Sequence, residues 1–160
     1  MYEGKEMHPL GLSWGSCKTT CGSCFWSKKA GPGPKVLRCV PSGSKRVKAE
    51  WRGCSFWEPE VDCLDCAACC GPSFDAVEVS VKDPVRKKHP KLLFKQEGRW
   101  GVRRREGNFC MALQEDNRCR IYVDRPRCCR DFEKGSGNCL FARQRVKLSP
   151  IWVQKEEDGL

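Results

Sequence analysis

The stretch Cys63-Leu64-Asp65-Cys66-Ala67-Ala68-Cys69-Cys70 places four thiols within eight residues, and ordinary packing gives no reason for such a density. These thiols need a common partner. A Cys-x-x-Cys turn brings two sulfurs to one point and lets backbone N–H groups aim at them, which suits tetrahedral zinc or an iron–sulfur cluster. Cys69 and Cys70 are neighbours, and in an extended chain adjacent side chains point to opposite sides. They therefore serve two different sites, or one site and the core. One metal centre is the minimum.

A second set of thiols precedes this one. Cys21-x2-Cys24, Cys39 and Cys54 are enough for another closed site of the ribbon or knuckle type. Phe25, Trp26, Trp51, Phe56 and Trp57 lie beside them and would shield the site and form a small core. The spacing Cys17-x3-Cys21-x2-Cys24 is also similar to the cluster motif of radical S-adenosylmethionine enzymes. Those enzymes are built on many βα units, for which 160 residues without alternating strand and helix patterns are too few.

Fourteen Cys in 160 residues fit either a disulfide framework or metal binding, and the compartment decides between them. Met1 to Trp14 has no apolar stretch of the signal-peptide kind, and no segment has the length of a membrane span. The expectation is a cytoplasmic chain with no membrane association, in which clustered Cys are ligands. The formal charge of +10 counts every thiol as neutral; eight thiolates holding two divalent ions would lower it by four. Basic residues gather between Lys82 and Arg105 around the single Trp100. With one aromatic for base stacking, this reads as a solvated face, and no specific nucleic-acid partner is expected.

The elements that must position the thiols are short. Ala76 to Val81 alternates with three valines on one face and reads as a half-buried strand. Asp83-Pro84 opens a helix, with Asp83 as N-cap, and Pro90 limits it. Strands are expected through Trp100–Val102, Phe109–Leu113 and Cys119–Val123. A four-residue loop, Gln114 to Asn117, would join the last two so that Ala112 lies opposite Cys119 and Ile121 opposite Cys110. Asn138 would cap a last helix from Cys139 to Lys147. His8 and His89, the two histidines, sit in polar contexts and read as surface residues. No phosphate loop, paired-carboxylate motif or nucleophile elbow is present, so no catalytic residue is assigned. Cys128-Cys129 between Arg127 and Arg130 is the remaining candidate for a reactive dithiol.

Taken together, Cys63-x2-Cys66-x2-Cys69-Cys70, Cys110, Cys119-Arg-Ile121-Tyr122, Arg125-Pro126-x-x-Cys129-Arg130-x-Phe132 and Cys139 resemble the CxxCxxCC cysteine-cluster proteins of the YkgJ type, over roughly Cys63 to Val146. Cys128 is additional to that pattern. The resemblance implies zinc or iron chelation, and flagellin lysine methylases are a related case in which similar clusters accompany catalysis. The resulting expectation is a small α+β protein with short antiparallel strands and a few short helices organised around metal or iron–sulfur centres. It divides into a metal-knuckle module (1–60), a cysteine-cluster domain (61–148) and a polar tail (149–160). The expected ligands are Cys63, Cys66, Cys69, Cys70, Cys110, Cys119, Cys129 and Cys139, with Cys21, Cys24, Cys39 and Cys54 in the first module. The cofactor is zinc or an iron–sulfur cluster, 4Fe–4S in the latter case. The alternatives are an iron–sulfur-dependent redox enzyme or its accessory protein, and a basic zinc module associating with nucleic acid. Arg125 and Arg130 would pair with an acidic group or donate towards sulfur, or else serve structurally by pinning the Arg-Pro turn to a carboxylate such as Asp124 or Asp131.

Overall fold

A computed structural model describes residues 7–29, 31–32 and 36–149. The charged tail read from the sequence lies, beyond Ser149, outside the described residues. The chain divides into two compact units, one reaching to Val61 and including Ser149, the other Asp62–Leu148.

The first unit is built on a three-stranded antiparallel meander, β1 (Ser27–Lys29), β2 (Val36–Cys39) and β3 (Lys45–Lys48). In β2 the period of two turns Leu37 and Cys39 inward and leaves Val36 and Arg38 in solvent. Leu37 pairs with Val47, and Cys39 is opposite Ser27 on one side and Lys45 on the other. A single 3-10 turn over Val40–Ser42, closed by Gly43 at φ 69°, links β2 to β3. Cys21, Leu37, Cys39 and Val47 form one small core, and Leu12, Cys54 and Phe56 another. Three of these seven buried side chains are cysteines, so thiols are part of the cores themselves. Isolated bridges Trp14↔Cys54 and Thr20↔Arg52 tie the segments on either side of the meander. A Cβ on Gly15 would run into the backbone carbonyl of Cys54.

The second unit contains a sheet ordered β4 (Glu78–Val79), β6 (Arg99–Val102), β5 (Leu93–Gln96), and a two-stranded ladder of β7 (Arg104–Arg105) with β8 (Phe109–Cys110). Its helices are α1 (Cys63–Cys66), α2 (Val85–Lys88), α3 (Arg127–Arg130) and α4 (Gly137–Arg145). Val79, Val85, Leu92, Leu93, Val102, Ala112, Leu113 and Ile121 form the core, with Cys110 inside it and Cys70 and Cys119 packed at its edge. β5 and β6 meet at Glu97-Gly98, both at positive φ (49° and 80°), the two-residue hairpin geometry whose twist suits the strands. Gly101 lies under Phe94, whose ring carbon is 2.7 Å from where a Cβ would stand.

The α+β architecture of short antiparallel strands and few helices is as the sequence predicts, and several local readings are corrected. The valine strand is two residues long because Asp83 accepts from the Ser80 N–H at 2.7 Å and turns the chain, leaving Val81 exposed. Asp83 does not cap α2 with its side chain. Leu113, not Ala112, bridges to Cys119, because the Gln114 N–H closes onto the Arg118 carbonyl with Asn117 in the left-handed region. Cys110 accordingly pairs with Arg104. The segment after Cys119 folds into a 3-10 turn, Tyr122–Asp124, in place of a strand. α4 begins at Gly137 under a cap from Ser136, whose Oγ accepts from the Cys139 N–H at 3.2 Å.

Candidate metal centres

All fourteen cysteines are free thiols, and the charges that act between them make twelve of them neighbours in three sets of four, with Cys69 and Cys70 linking two of the sets. In the first unit, the Cys21 amide is held by the Trp51 carbonyl at 2.8 Å, and the Cys24 N–H returns to the Cys21 carbonyl at 3.3 Å. This forms a tight Cys-x-x-Cys turn capped by Thr20. Cys39 reaches the same core from the end of β2, whereas Cys54, on the Trp14 bridge, sits in the neighbouring core with Leu12 and Phe56, Leu10 packing against both. Burial pushes Cys21 up to about 12, with the charges of Cys54, Cys39 and Cys24 adding to it. Burial likewise raises Cys54 to about 11, opposed by the Phe56 backbone N–H. It raises Cys39, against hydrogen bonds from Ser42. Amides two or three residues past a Cys, aimed at its sulfur, are the support a metal-bound thiolate uses.

The second group is Cys63, Cys66, Cys69 and Cys139. Asp62 Oδ1 accepts from the Leu64 N–H at 2.8 Å and starts α1, so Cys63 and Cys66 stand one turn apart on one face. α4 carries Cys139 and is tied to the segment after the cluster by the buried Ser73 hydroxyl, which donates to the Ala142 carbonyl at 2.7 Å. The Cys63 thiol is raised by burial and then by Cys69, with Cys139 and Cys66 contributing further.

The third group is Cys70, Cys110, Cys119 and Cys129. The Cys110 N–H donates to the Cys70 carbonyl at 2.9 Å. The Leu113 bridge brings in Cys119, raised by burial against an N–H from Ile121. Cys129 lies on α3, whose first amide, Arg127 N–H, donates to Asp83 Oδ1 at 2.9 Å while Arg130 Nη2 reaches the same oxygen at 3.4 Å. Asp83, buried at 4% exposure, is thus the anchor of the helix that presents Cys129, a role its sequence context did not reveal.

The extended-chain picture of Cys69 and Cys70 is corrected in one respect. The chain is in a turn here, and the two thiols hydrogen-bond to each other, which lowers Cys69 to about 7 and raises Cys70. Their other neighbours still differ: Cys69 acts on Cys63 and Cys139, whereas Cys110 and Cys129 act on Cys70. Cys17 and Cys128 are exposed, as is Cys63. Cys128 Sγ lies 3.2 Å from the Glu78 carbonyl, and a hydrogen bond with Cys129 brings it down to about 7.

The donor set fits a thiophilic metal. Among the described residues no three or more His, Cys, Asp and Glu side chains are already closed into a ligand cage. Closing such a shell would take side-chain rotations and the loss of thiol protons, both of which accompany metal binding. Beside the third group, Arg104 Nη1 donates to the carbonyls of Gly71 and Asn108, both at 3.0 Å. Its Nε and Nη2, and Nε of Arg125, are buried with no hydrogen-bond partner. Four thiolates around a divalent ion would carry two negative charges and would offer such N–H groups an acceptor.

The remaining sequence candidates fall elsewhere. His89 pairs with Asp124 at 3.1 Å, on which Lys88 also converges at 2.7 Å. Arg125 stacks on the Tyr122 ring at 3.8 Å, whereas Arg130 donates to the Arg125 carbonyl at 2.8 Å and pairs with a carboxylate, that of Asp83 at 3.4 Å, in place of Asp124 or Asp131. Trp100 is covered by Arg86 at 4.8 Å and Lys95 at 5.8 Å. His8 is the residue the sequence reading missed: it is 2% exposed, and its Nε2 lies 3.4 Å from Cys21 Sγ. A single His in a polar stretch thirteen residues upstream gave no spacing signal.

Residues 62–151 match the CxxCxxCC family, described as a candidate zinc- or iron-chelating domain. The match covers more than half of the chain, and the protein belongs to that family. No curated protein and no solved structure matches it significantly. Membership supports metal binding in general. Among the described residues no helix is long and apolar enough to cross a membrane.

Proposed function

We propose that the family domain binds metal at two four-cysteine centres, one formed by Cys63, Cys66, Cys69 and Cys139 and the other by Cys70, Cys110, Cys119 and Cys129. What supports this reading is the difference in neighbours at the Cys69–Cys70 junction: the charge of Cys69 acts on Cys63 and Cys139, and those of Cys110 and Cys129 act on Cys70. Either zinc or a 4Fe–4S cluster is compatible with four thiolates. In either case the bound metal contributes to folding, since structural zinc can supply about 10 kcal/mol or more and the apolar core of the unit is small.

A second reading is favoured by the contact between the Cys69 and Cys70 thiols, which sets the two centres side by side. Iron–sulfur occupancy of both would then allow an electron to pass between them, as in a redox enzyme or its accessory protein. Anaerobic purification of the full chain followed by metal and acid-labile sulfide analysis tests both readings. At least two zinc ions per chain without sulfide supports structural centres. Iron and sulfide in equal amounts, about four of each per centre, supports the redox reading. A chain that stays folded without stoichiometric metal would overturn both.

A further inference from the structure

The first unit lies outside the family domain, and its thiols come with a feature the other two groups lack. The His8 ring is held from several sides. The Leu10 N–H donates to Nδ1 at 3.2 Å. The His8 N–H reaches the Leu12 carbonyl at 2.9 Å, and the His8 carbonyl accepts from Gly11 at 2.8 Å. Trp14 and Trp51 pack edge-on against the ring, with centroids at 5.2 and 5.9 Å.

Because Nδ1 accepts a backbone hydrogen bond, it cannot also carry the proton of the neutral imidazole, and that proton must sit on Nε2. Nε2 faces Cys21 Sγ at 3.4 Å. A protonated Nε2 has no lone pair for a metal, so the ring is an N–H donor to sulfur rather than a ligand. Such a donor draws charge from a metal-bound thiolate, making it a poorer target for protons, alkylating agents and oxidants.

We propose that the first unit is a metal site in its own right, in which Cys21, Cys24, Cys39 and Cys54 hold a divalent thiophilic cation, zinc being the class that fits, and His8 protects the Cys21 thiolate through an Nε2–H···Sγ hydrogen bond. The site is small, with Cys21, Cys39, Cys54, Trp26 and Phe56 buried and Cys24 half-buried at its edge. A closed tetrahedral ion needs no more room than that. The proposal does not rest on the family-domain centres.

The test uses the full chain loaded with zinc. Cys24→Ser and Cys54→Ser should each lose one zinc per chain, and the double variant no more than one. Cys17→Ser should lose none. Cys24→His, which keeps a donor on the half-buried turn, should retain the ion that Cys24→Ser loses, separating ligation from a failure to fold. His8→Asn should keep the zinc count but release one ion about tenfold faster on treatment with iodoacetamide, the scale of losing one hydrogen bond to a charged sulfur. Zinc counts unchanged in Cys24→Ser and Cys54→Ser would overturn the site. Loss of the ion in His8→Asn would make His8 a ligand, and an unaltered release rate would remove its protective role.

Discussion

Cys110 gives its backbone N–H to the carbonyl of Cys70 at 2.9 Å, so a strand residue forty positions on closes directly against the end of the cysteine cluster. Arg104, opposite Cys110 in the β7–β8 ladder, spans the carbonyls of Gly71 and Asn108 and locks the same junction. Two thiols far apart in sequence are in this way fixed by backbone, before any metal contributes.

Arg104 is the first point of attack. Arg104→Leu removes the Nη1 that donates to both carbonyls and leaves the junction looser. The expected outcome is a loss of about 1–3 kcal/mol in denaturant unfolding at constant metal loading. A variant as stable as the parent would show that the clamp contributes nothing.

Asp83 holds α3. Asp83→Ala leaves the amides of Ser80 and Arg127 without their acceptor, at a cost of about 2–4 kcal/mol, and frees the helix bearing Cys129. Metal release from the family domain should quicken, while Asp131→Ala, which removes only an exposed pair with Arg127, should change stability by less than about 1 kcal/mol. Equal effects would contradict the anchoring role.

Gly101→Ala puts a methyl into the Phe94 ring. Overpacking of this kind costs about 1–3 kcal/mol, read as a lower unfolding midpoint. Pairing it with Phe94→Ala should restore room and make the double variant less unstable than the sum of the two. Strict additivity would place the clash elsewhere.

The carboxyl of Asp124 is held below its ordinary value by hydrogen bonds from Lys88 and then His89. A depressed carboxyl stabilises the fold above its unfolded pKa, about 3.9, and that contribution fades as pH falls through the lower folded value. The stability difference between the parent and Asp124→Asn should therefore be present at pH 7, hold down to about pH 5 and shrink only below about pH 4. A difference that appears only on acidification would carry the opposite sign and contradict this assignment.

The cysteine cluster was legible from spacing because ligation demands particular residues at particular intervals, and Cys63, Cys66, Cys69 and Cys70 cannot hide among ordinary side chains, whereas spacing leaves open how the thiols divide among centres. The hairpin at Glu97-Gly98 was not read, because a Glu gives no hint that it will adopt positive φ. The Leu113–Cys119 register slipped by one residue for a similar reason, the turn being closed by a backbone bond from Gln114 that periodicity does not encode. Asp83 and His8 were misplaced because both are polar and local sequence suggested a cap and a surface residue. Their partners, Arg127 and Cys21, come from segments 44 and 13 residues away, and only the assembled chain brings them together.

The central claim is that Cys69 and Cys70, adjacent and in contact, belong to different metal centres. Metal content per folded chain in three double variants tests it most directly. Cys69→Ser with Cys139→Ser should lose one centre's metal, Cys70→Ser with Cys129→Ser the other's, and Cys69→Ser with Cys70→Ser both. If the Cys69, Cys70 pair costs a single centre, or the Cys69, Cys139 pair costs two, the partition is wrong.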